Sequence, residues 1–168
     1  MSFILKKIKL YLESSALWAL YYDELGAKLI EKCLIDEQIE CLSSIWTQLE
    51  LERGINKREN QKEITHDEAE KLRIFIETDC KSLLTKKQLT FLAITDDDIF
   101  IAKRLIRAYN LFASDAIQLA SAIQENCHAI IVDDYHFKRL DEKIKANEGL
   151  AIHPTSKSLS SLKNEIKL

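Results

Sequence analysis

Four acidic residues carry the chemistry this chain could do, each just past a strand or in the first turns of a helix that returns from the sheet edge. Glu13 closes the short apolar run Ile8 to Leu12. Glu50 lies in Leu-Glu-Leu-Glu-Arg-Gly-Ile, in the helix expected after a second strand. Asp115 opens the Ala-rich stretch Ser-Asp-Ala-Ile-Gln-Leu-Ala, and Asp134 follows the apolar run Ala129 to Val132. In an open α/β sheet, ligands bind in the crevice at the carboxyl ends of the strands. If the sheet is parallel, all four acids can converge there. Carboxylates crowded together repel one another and stay ionised only when a cation neutralises them. Hard oxygen donors suit Mg²⁺ or Mn²⁺ rather than Zn²⁺, and a hard ion in such a site suits phosphodiester hydrolysis. Acids are common here, 27 Asp and Glu in all, and an acid at a helix start also favours the helix dipole without further function. Glu52 falls on a different helix face from Glu50 and is expected to face solvent.

The elements that must position these acids are legible as alternating periods. A strand over 8–12 gives way to a helix over 15–24, where Leu17, Leu20 and Tyr21 fall at i, i+3, i+4. Beyond Gly26 a second helix carries Leu29, Ile30 and Leu34. A second strand is expected over Gln38–Leu42, with Ser43 and Ser44 as N-caps for a helix through Trp46, Leu49 and Ile55. The polar run Asn56 to Thr65 reads as a charged loop or a frayed helix end. Thr65 and Glu68 form a capping box for a helix carrying Ala69, Leu72 and Ile76. Leu89–Ile94 is a third strand, and Thr95 caps the helix that follows. Ala116, Leu119, Ala120 and Ile123 mark another helix, Ala129–Val132 a fourth strand, then a charged helix. Leu150–His153 is a fifth strand stopped by Pro154. Alternating strands and helices predict an α/β fold: a three-layer α/β/α sandwich with a mostly parallel five-stranded sheet. One domain over 1–154 and a polar tail over 155–168 are expected. Leu159, Leu162 and Ile166 in that tail keep helical spacing, suited to docking on the domain or on a partner.

Composition narrows the classes. At 168 residues, 46% hydrophobic and 30% charged, the chain suits one globular domain. No apolar run is long enough to span a membrane and no signal peptide is expected, which points to the cytoplasm. Cys33, Cys41, Cys80 and Cys127 form no C-x-x-C pair and read as buried free thiols. The net charge of −3 exerts no global pull on nucleic acid, so a polyanion would need a local basic face. The candidates are Lys57, Arg58 and Lys62; Lys103, Arg104 and Arg107; and Lys138 and Arg139, the pair nearest in sequence to a proposed ligand. Trp18, Tyr21 and Tyr22 on the first helix suit core packing, a partner groove or a dimer seam. There is no phosphate-binding Gly loop, zinc helix or nucleophile elbow. The four histidines (His66, His128, His136, His153) show no ligand spacing, and a phosphatase-like site would want Asp-x-Asp where the chain has Glu13-Ser14-Ser15.

The segments Tyr-Leu-Glu-Ser-Ser-Ala-Leu, Glu-Leu-Glu-Arg-Gly-Ile, Ser-Asp-Ala-Ile-Gln-Leu-Ala and Val-Asp-Asp-Tyr-His-Phe, in this order over residues 8–154, resemble the four motifs of PIN-domain proteins, above all VapC-type toxins of bacterial toxin–antitoxin pairs. The resemblance implies a Mg²⁺- or Mn²⁺-dependent endoribonuclease that leaves a 5′-phosphate, commonly a homodimer, partnered by an antitoxin. It makes Glu13, Glu50, Asp115 and Asp134 the catalytic quartet, with Glu13, Asp115 and Asp134 as metal ligands. Ser15 becomes the hydroxyl supporting the first acid, Asp133 a secondary acid, and Lys138 and Arg139 contacts to the RNA phosphates. Two positions depart from the family pattern: Glu13 stands where Asp is usual, and Val132 where Thr or Ser opens the fourth motif. The extra methylene of Glu13 displaces the carboxylate by about 1 Å, against the near-octahedral demand of Mg²⁺. The alternative these departures raise is a catalytically silent PIN-fold binding or scaffold module.

Overall fold

The computed structural model describes residues 7–22, 26–133, 137 and 139–166. Five strands form one sheet in the order β3-β2-β1-β4-β5, from β1 (Ile8–Leu12), β2 (Ile39–Ser44), β3 (Leu89–Leu92), β4 (Ala129–Val132) and β5 (Ala151–Pro154). Every pairing is parallel, so the expected mostly parallel sheet is parallel throughout. The central strand β1 is flanked by β2 and β4, which brings the carboxyl ends of three strands side by side.

Alternation along β1 separates two cores. Ile8, Leu10 and Leu12 point into one, built with α1 (Ser14–Tyr21), α2 (Ala27–Ile35), α3 (Ile45–Asn60) and α4 (His66–Thr85). Tyr11 points into the other, with α5 (Asp96–Tyr109), α6 (Ala113–Gln124) and α7 (Asp141–Glu148). β4 is buried at every position, as expected of an inner strand covered on both faces. The result is a three-layer α/β/α sandwich.

Local chemistry explains most element boundaries. Complete capping boxes start α4 at Thr65–Glu68 and α5 at Thr95–Asp98. Two expectations are corrected. Ser44 takes the N-cap position of α3 as expected but makes no side-chain cap bond, whereas Ser43 belongs to β2 and its Oγ donates to Leu12 O at 2.8 Å, which uses the hydroxyl to tie β2 to β1. The polar run from Asn56 remains helical to Asn60, because Lys, Arg and Glu are good helix formers whether or not they face a core. The first helix is described to Tyr21; the remainder of its expected span, residues 23 and 24, lies outside the described residues.

The final helix, α8 (Leu159–Ile166), packs on the domain. Leu162 is fully buried, Lys163 Nζ bonds Asp36 at 2.7 Å, and Glu165 meets buried His153 at 2.9 Å. All four cysteines are buried and free. Among the described residues, no helix is long and apolar enough to cross a membrane.

Candidate active site

Glu13 is the residue at which β1 becomes α1, and its side chain caps the helix it precedes. Its backbone N–H continues the ladder to Ile131 O, while the carboxylate folds back to accept from Ser15 N at 2.8 Å. Ser15 Oγ donates to the same oxygen. The other oxygen accepts from Ser14 Oγ and from Gln118 Nε2 at 2.9 Å. Four donors on two oxygens fill the lone pairs of this carboxylate.

Gln118 joins the acids and was not among the expected site residues. It is fully buried on α6, and its Oε1 accepts from Ser14 N at 3.2 Å and Thr47 Oγ1 at 3.1 Å. The obligatory Ser14 N–H donor fixes the orientation of the amide, so both hydrogens of Nε2 face the acids, one to Glu13 and one to Glu50. Ser114 Oγ donates to the second oxygen of Glu50. Each oxygen of Glu50 therefore keeps one lone pair free.

Glu13, Glu50 and Asp115 line one open cavity of about 440 Å³ with Ser14, Ser15 and Trp18. Glu13 is only 4% exposed; burial, with a smaller push from the Glu50 charge, raises its carboxyl to about 7 against its hydrogen bonds. Asp115 is half-buried in the first turn of α6. Asp133 ends β4, where its N–H donates to Ser15 Oγ at 2.8 Å and its Oδ1 accepts from Thr155 Oγ1 at 2.8 Å. It is exposed and does not line the cavity. Asp134, the fourth acid, and Lys138 lie outside the described residues. Glu52 turns to α4, bonding Arg73 Nε at 2.8 Å.

Cations line the same space as the acids. Arg53, Lys57 and Arg58, at i, i+4 and i+5 along α3, line the same cavity. Arg53 and Lys57 are exposed and make no ion pair among the described residues. The Arg58 guanidinium sits 3.7 Å from the Tyr22 ring centroid and 5.4 Å from that of Trp18, and it bonds Glu63 at 3.1 Å. The helical extension beyond Asn56 is what turns Lys57 and Arg58 toward the acids. Arg53 was missed in the sequence, although its place three residues after Glu50 puts both on one helix face. Lys62, Lys103, Arg104, Arg107 and Arg139 do not line this cavity; Arg104 is engaged with Glu148 through two 2.7 Å bonds.

The donor set fits a hard divalent ion in kind. It is all oxygen, Glu13 within it is desolvated, and no cation bonds Glu13 or Glu50 among the described residues. It is also incomplete there: no three Asp, Glu, His or Cys side chains of the described residues are grouped closely enough to hold an ion.

Solved structures share this architecture. VapBC2 from Rickettsia felis, bound to a DNA fragment from its promoter, superposes with a TM-score of 0.55 at 14% identity, over 88% of this chain and 98% of the other. VapBC-5 from Mycobacterium tuberculosis, a member of the VapBC family of toxin–antitoxin systems, gives 0.55 at 16%, over 87% and 98%. PAE2754 from Pyrobaculum aerophilum gives 0.55 at 16%, over 95% and 97%. A comparison with curated protein sequences finds no match. Residues 10–143 match the PIN domain family, a span that runs from the central strand into α7 and includes every acid of the cavity. By that match the chain belongs to the PIN domain family.

Proposed function

We propose that the protein is a Mg²⁺- or Mn²⁺-dependent endoribonuclease, the toxin of a type II toxin–antitoxin pair. The observation that carries the reading is the cavity itself: three acids from three separate elements and three cations from α3 line the same space. Glu13, Glu50 and Asp115, completed by Asp134, would hold the ion. A bound ion of this kind supplies the positive charge that makes water a nucleophile at neutral pH and stabilises charge on a phosphoryl oxygen. Glu50 offers a free lone pair on each oxygen, and rotation of the Ser14 and Ser15 hydroxyls would open one position on each oxygen of Glu13. Gln118 fixes the separation of the two carboxylates. Arg53 and Lys57 meet the RNA backbone, with Lys138 and Arg139 as further phosphate contacts.

The antitoxin partner is supported by exposed apolar surface. Ile74 and Phe75 on α4 and Leu49 on α3 are more than half exposed, and a cavity of about 590 Å³ between these helices is lined by Leu51, Ile55, Ile74 and Leu84. Exposed apolar groups clustered in this way mark association surfaces. The superposed Mycobacterium protein is described as a member of the VapBC family of toxin–antitoxin systems. A homodimer is part of the same proposal.

One observation favours a second reading, a silent PIN-fold binding module: the four donors that saturate Glu13. A cleavage assay decides between the two. On the nuclease reading, purified protein cuts single-stranded RNA in Mn²⁺ at least as well as in Mg²⁺, EDTA stops it, and Asp115→Asn abolishes it. Intact RNA with wild-type protein in Mn²⁺ selects the module, and cutting that survives EDTA removes the metal mechanism.

A further inference from the structure

Trp18 and Tyr22 lie at i, i+4 on α1, and their rings stack with centroids 5.4 Å apart and an interplanar angle of 15°. The Arg58 guanidinium, 3.7 Å from the Tyr22 centroid, covers this pair from α3. Tying α1 to α3 accounts for Tyr22 and Arg58, and Trp18 packs against the core beneath α1 while also reaching beyond it. That indole is half-exposed and forms part of the wall of the acidic cavity, between Ser15 and the cations of α3. It also lies hard against the helix backbone: a Cβ on Gly54 would be 3.1 Å from Trp18 Cζ3. The α3 backbone thus lies over one face of the ring, Tyr22 stacks beside it, and the indole forms part of the cavity wall.

We propose that Trp18, backed by Tyr22 and Arg58, is a stacking site for one unpaired base of single-stranded RNA. It rests on the RNA reading above. Unstacked bases bind aromatic and guanidinium planes, whereas the bases of a duplex are already stacked on one another. Trp18 follows Glu13 by five residues, roughly 7 Å along α1 at the rise of an α-helix, about the reach from a phosphate to its own base. A phosphate held between the acidic wall and Lys57 would therefore place its base on the indole. The site selects single strands through the need for an exposed base face and tolerates sequence variation, since every base has such a face.

The test uses the full chain with Trp46→Phe, which leaves Trp18 as the sole tryptophan. Trp46 is a tolerable loss because its buried indole N–H has no partner among the described residues. Its emission is followed while a mixed-sequence single-stranded RNA oligomer, or the matching duplex, is added in EDTA and again in Ca²⁺. The single strand quenches emission and the duplex does not. In otherwise wild-type protein, Trp18→Leu weakens binding of a labelled single strand, read by anisotropy, about five- to 150-fold, and Trp18→Phe restores most of it. Binding without quenching, equal quenching by duplex, or no quenching in either condition overturns the stacking site. If Trp18→Leu fails to fold, the quenching result alone decides. Quenching without cleavage in Mn²⁺ removes the nuclease reading and leaves this site standing; cleavage without quenching does the reverse.

Discussion

The two walls of the cavity are built on opposite principles. The acidic wall is built on a buried, bonded base: Glu13 and Gln118 are buried, and Ser14, Ser15, Thr47 and Ser114 donate to one or the other or to Glu50. It draws on β1, α1, α3 and α6 at once. The basic wall comes from one helix, and Arg53 and Lys57 stand in solvent. Hydrogen bonds in a low-dielectric network reinforce one another, and each unpaired member is costly. Exposed cations act at a distance and are screened by salt. Changes on the acidic wall should therefore move stability and the chemical step together, and changes on the basic wall should move only binding and its salt dependence.

The most severe test removes the link between the acids. Gln118→Leu deprives two carboxylates of their shared donor and strands Ser14 N–H and Thr47 Oγ1. The expected loss is about 3 kcal/mol or more, seen as a melting temperature lower by roughly 6–12 °C for a domain of this size. Cleavage should fall with it. Gln118→Glu sharpens the point: a third buried acid needs a proton or a cation, so Mn²⁺ should raise its melting temperature more than that of the wild type. A Gln118→Leu protein as stable as the wild type at pH 8 would break the contrast between the walls.

A second test uses pH alone, with chelator present. The Glu13 carboxyl is raised from 4.5 to about 7 by burial and by the neighbouring Glu50. Between those values the folded chain holds a proton that the unfolded chain releases, so stability falls as pH rises through this window, by roughly 2–4 kcal/mol. His66, raised by its bond to Glu59, acts in the same direction: its contribution is present at low pH and lost as pH rises past its raised value. Carboxyls held low, such as Asp36 by Lys163 and Glu148 by Arg104, act in the opposite sense, but only as pH falls below the ordinary carboxylate range. Melting curves in EDTA should therefore show higher stability at pH 5.5 than at pH 8. A flat profile would mean that Glu13 is not desolvated as its surroundings require.

What could be foreseen differs between the walls for the same physical reason. Glu13, Glu50 and Asp115 were visible because each stands at or near a helix start marked by a change of hydrophobic period, and because several such acids fall where the strand ends of one parallel sheet can meet. The sheet and the boxes at Thr65 and Thr95 were legible from similarly local signals. Gln118 was not, because an amide has no chemistry of its own; its role appears only when residues 13 and 14, more than 100 positions away, reach it. A signal was present, a polar residue between Ala116 and Leu119 on an otherwise apolar helix face. Lys57 and Arg58 were noted but placed in a loop, since a helix beyond the core shows no apolar periodicity. The docking of α8 rests on the spacing of Leu159, Leu162 and Ile166; that spacing suits the domain or a partner equally, and the pairing of Lys163 with Asp36 is not encoded in the tail.

The basic wall is tested with Arg53→Ala and Lys57→Ala. Each should weaken RNA binding by about 1 kcal/mol and lower the slope of log K against log salt by roughly one. Melting temperatures should hold to within about 0.5 kcal/mol, because neither side chain is buried or ion-paired among the described residues. The single-turnover cleavage rate at saturating RNA should also hold. A loss of that rate would place these cations at the reacting phosphate and erase the division of labour.

The finest test is Gly54→Ala. Glycine in the interior of α3 costs about 1 kcal/mol relative to alanine, so the substitution favours the helix. Against that, the new methyl would sit 3.1–3.3 Å from three atoms of the Trp18 ring, and the indole must give by a few tenths of an ångström. It can do so only by tilting within its stack on Tyr22, beneath Arg58. The two effects oppose, and net stability should change by less than about 1 kcal/mol in thermal melts. Single-strand binding has no such compensation, because the tilted ring presents a poorer face to a base. Gly54→Ala should therefore lower single-strand affinity several-fold while duplex binding, which depends on the cations alone, is unchanged. Equal losses for both would mean that Gly54 serves the packing of α1 on α3 and nothing in the cavity.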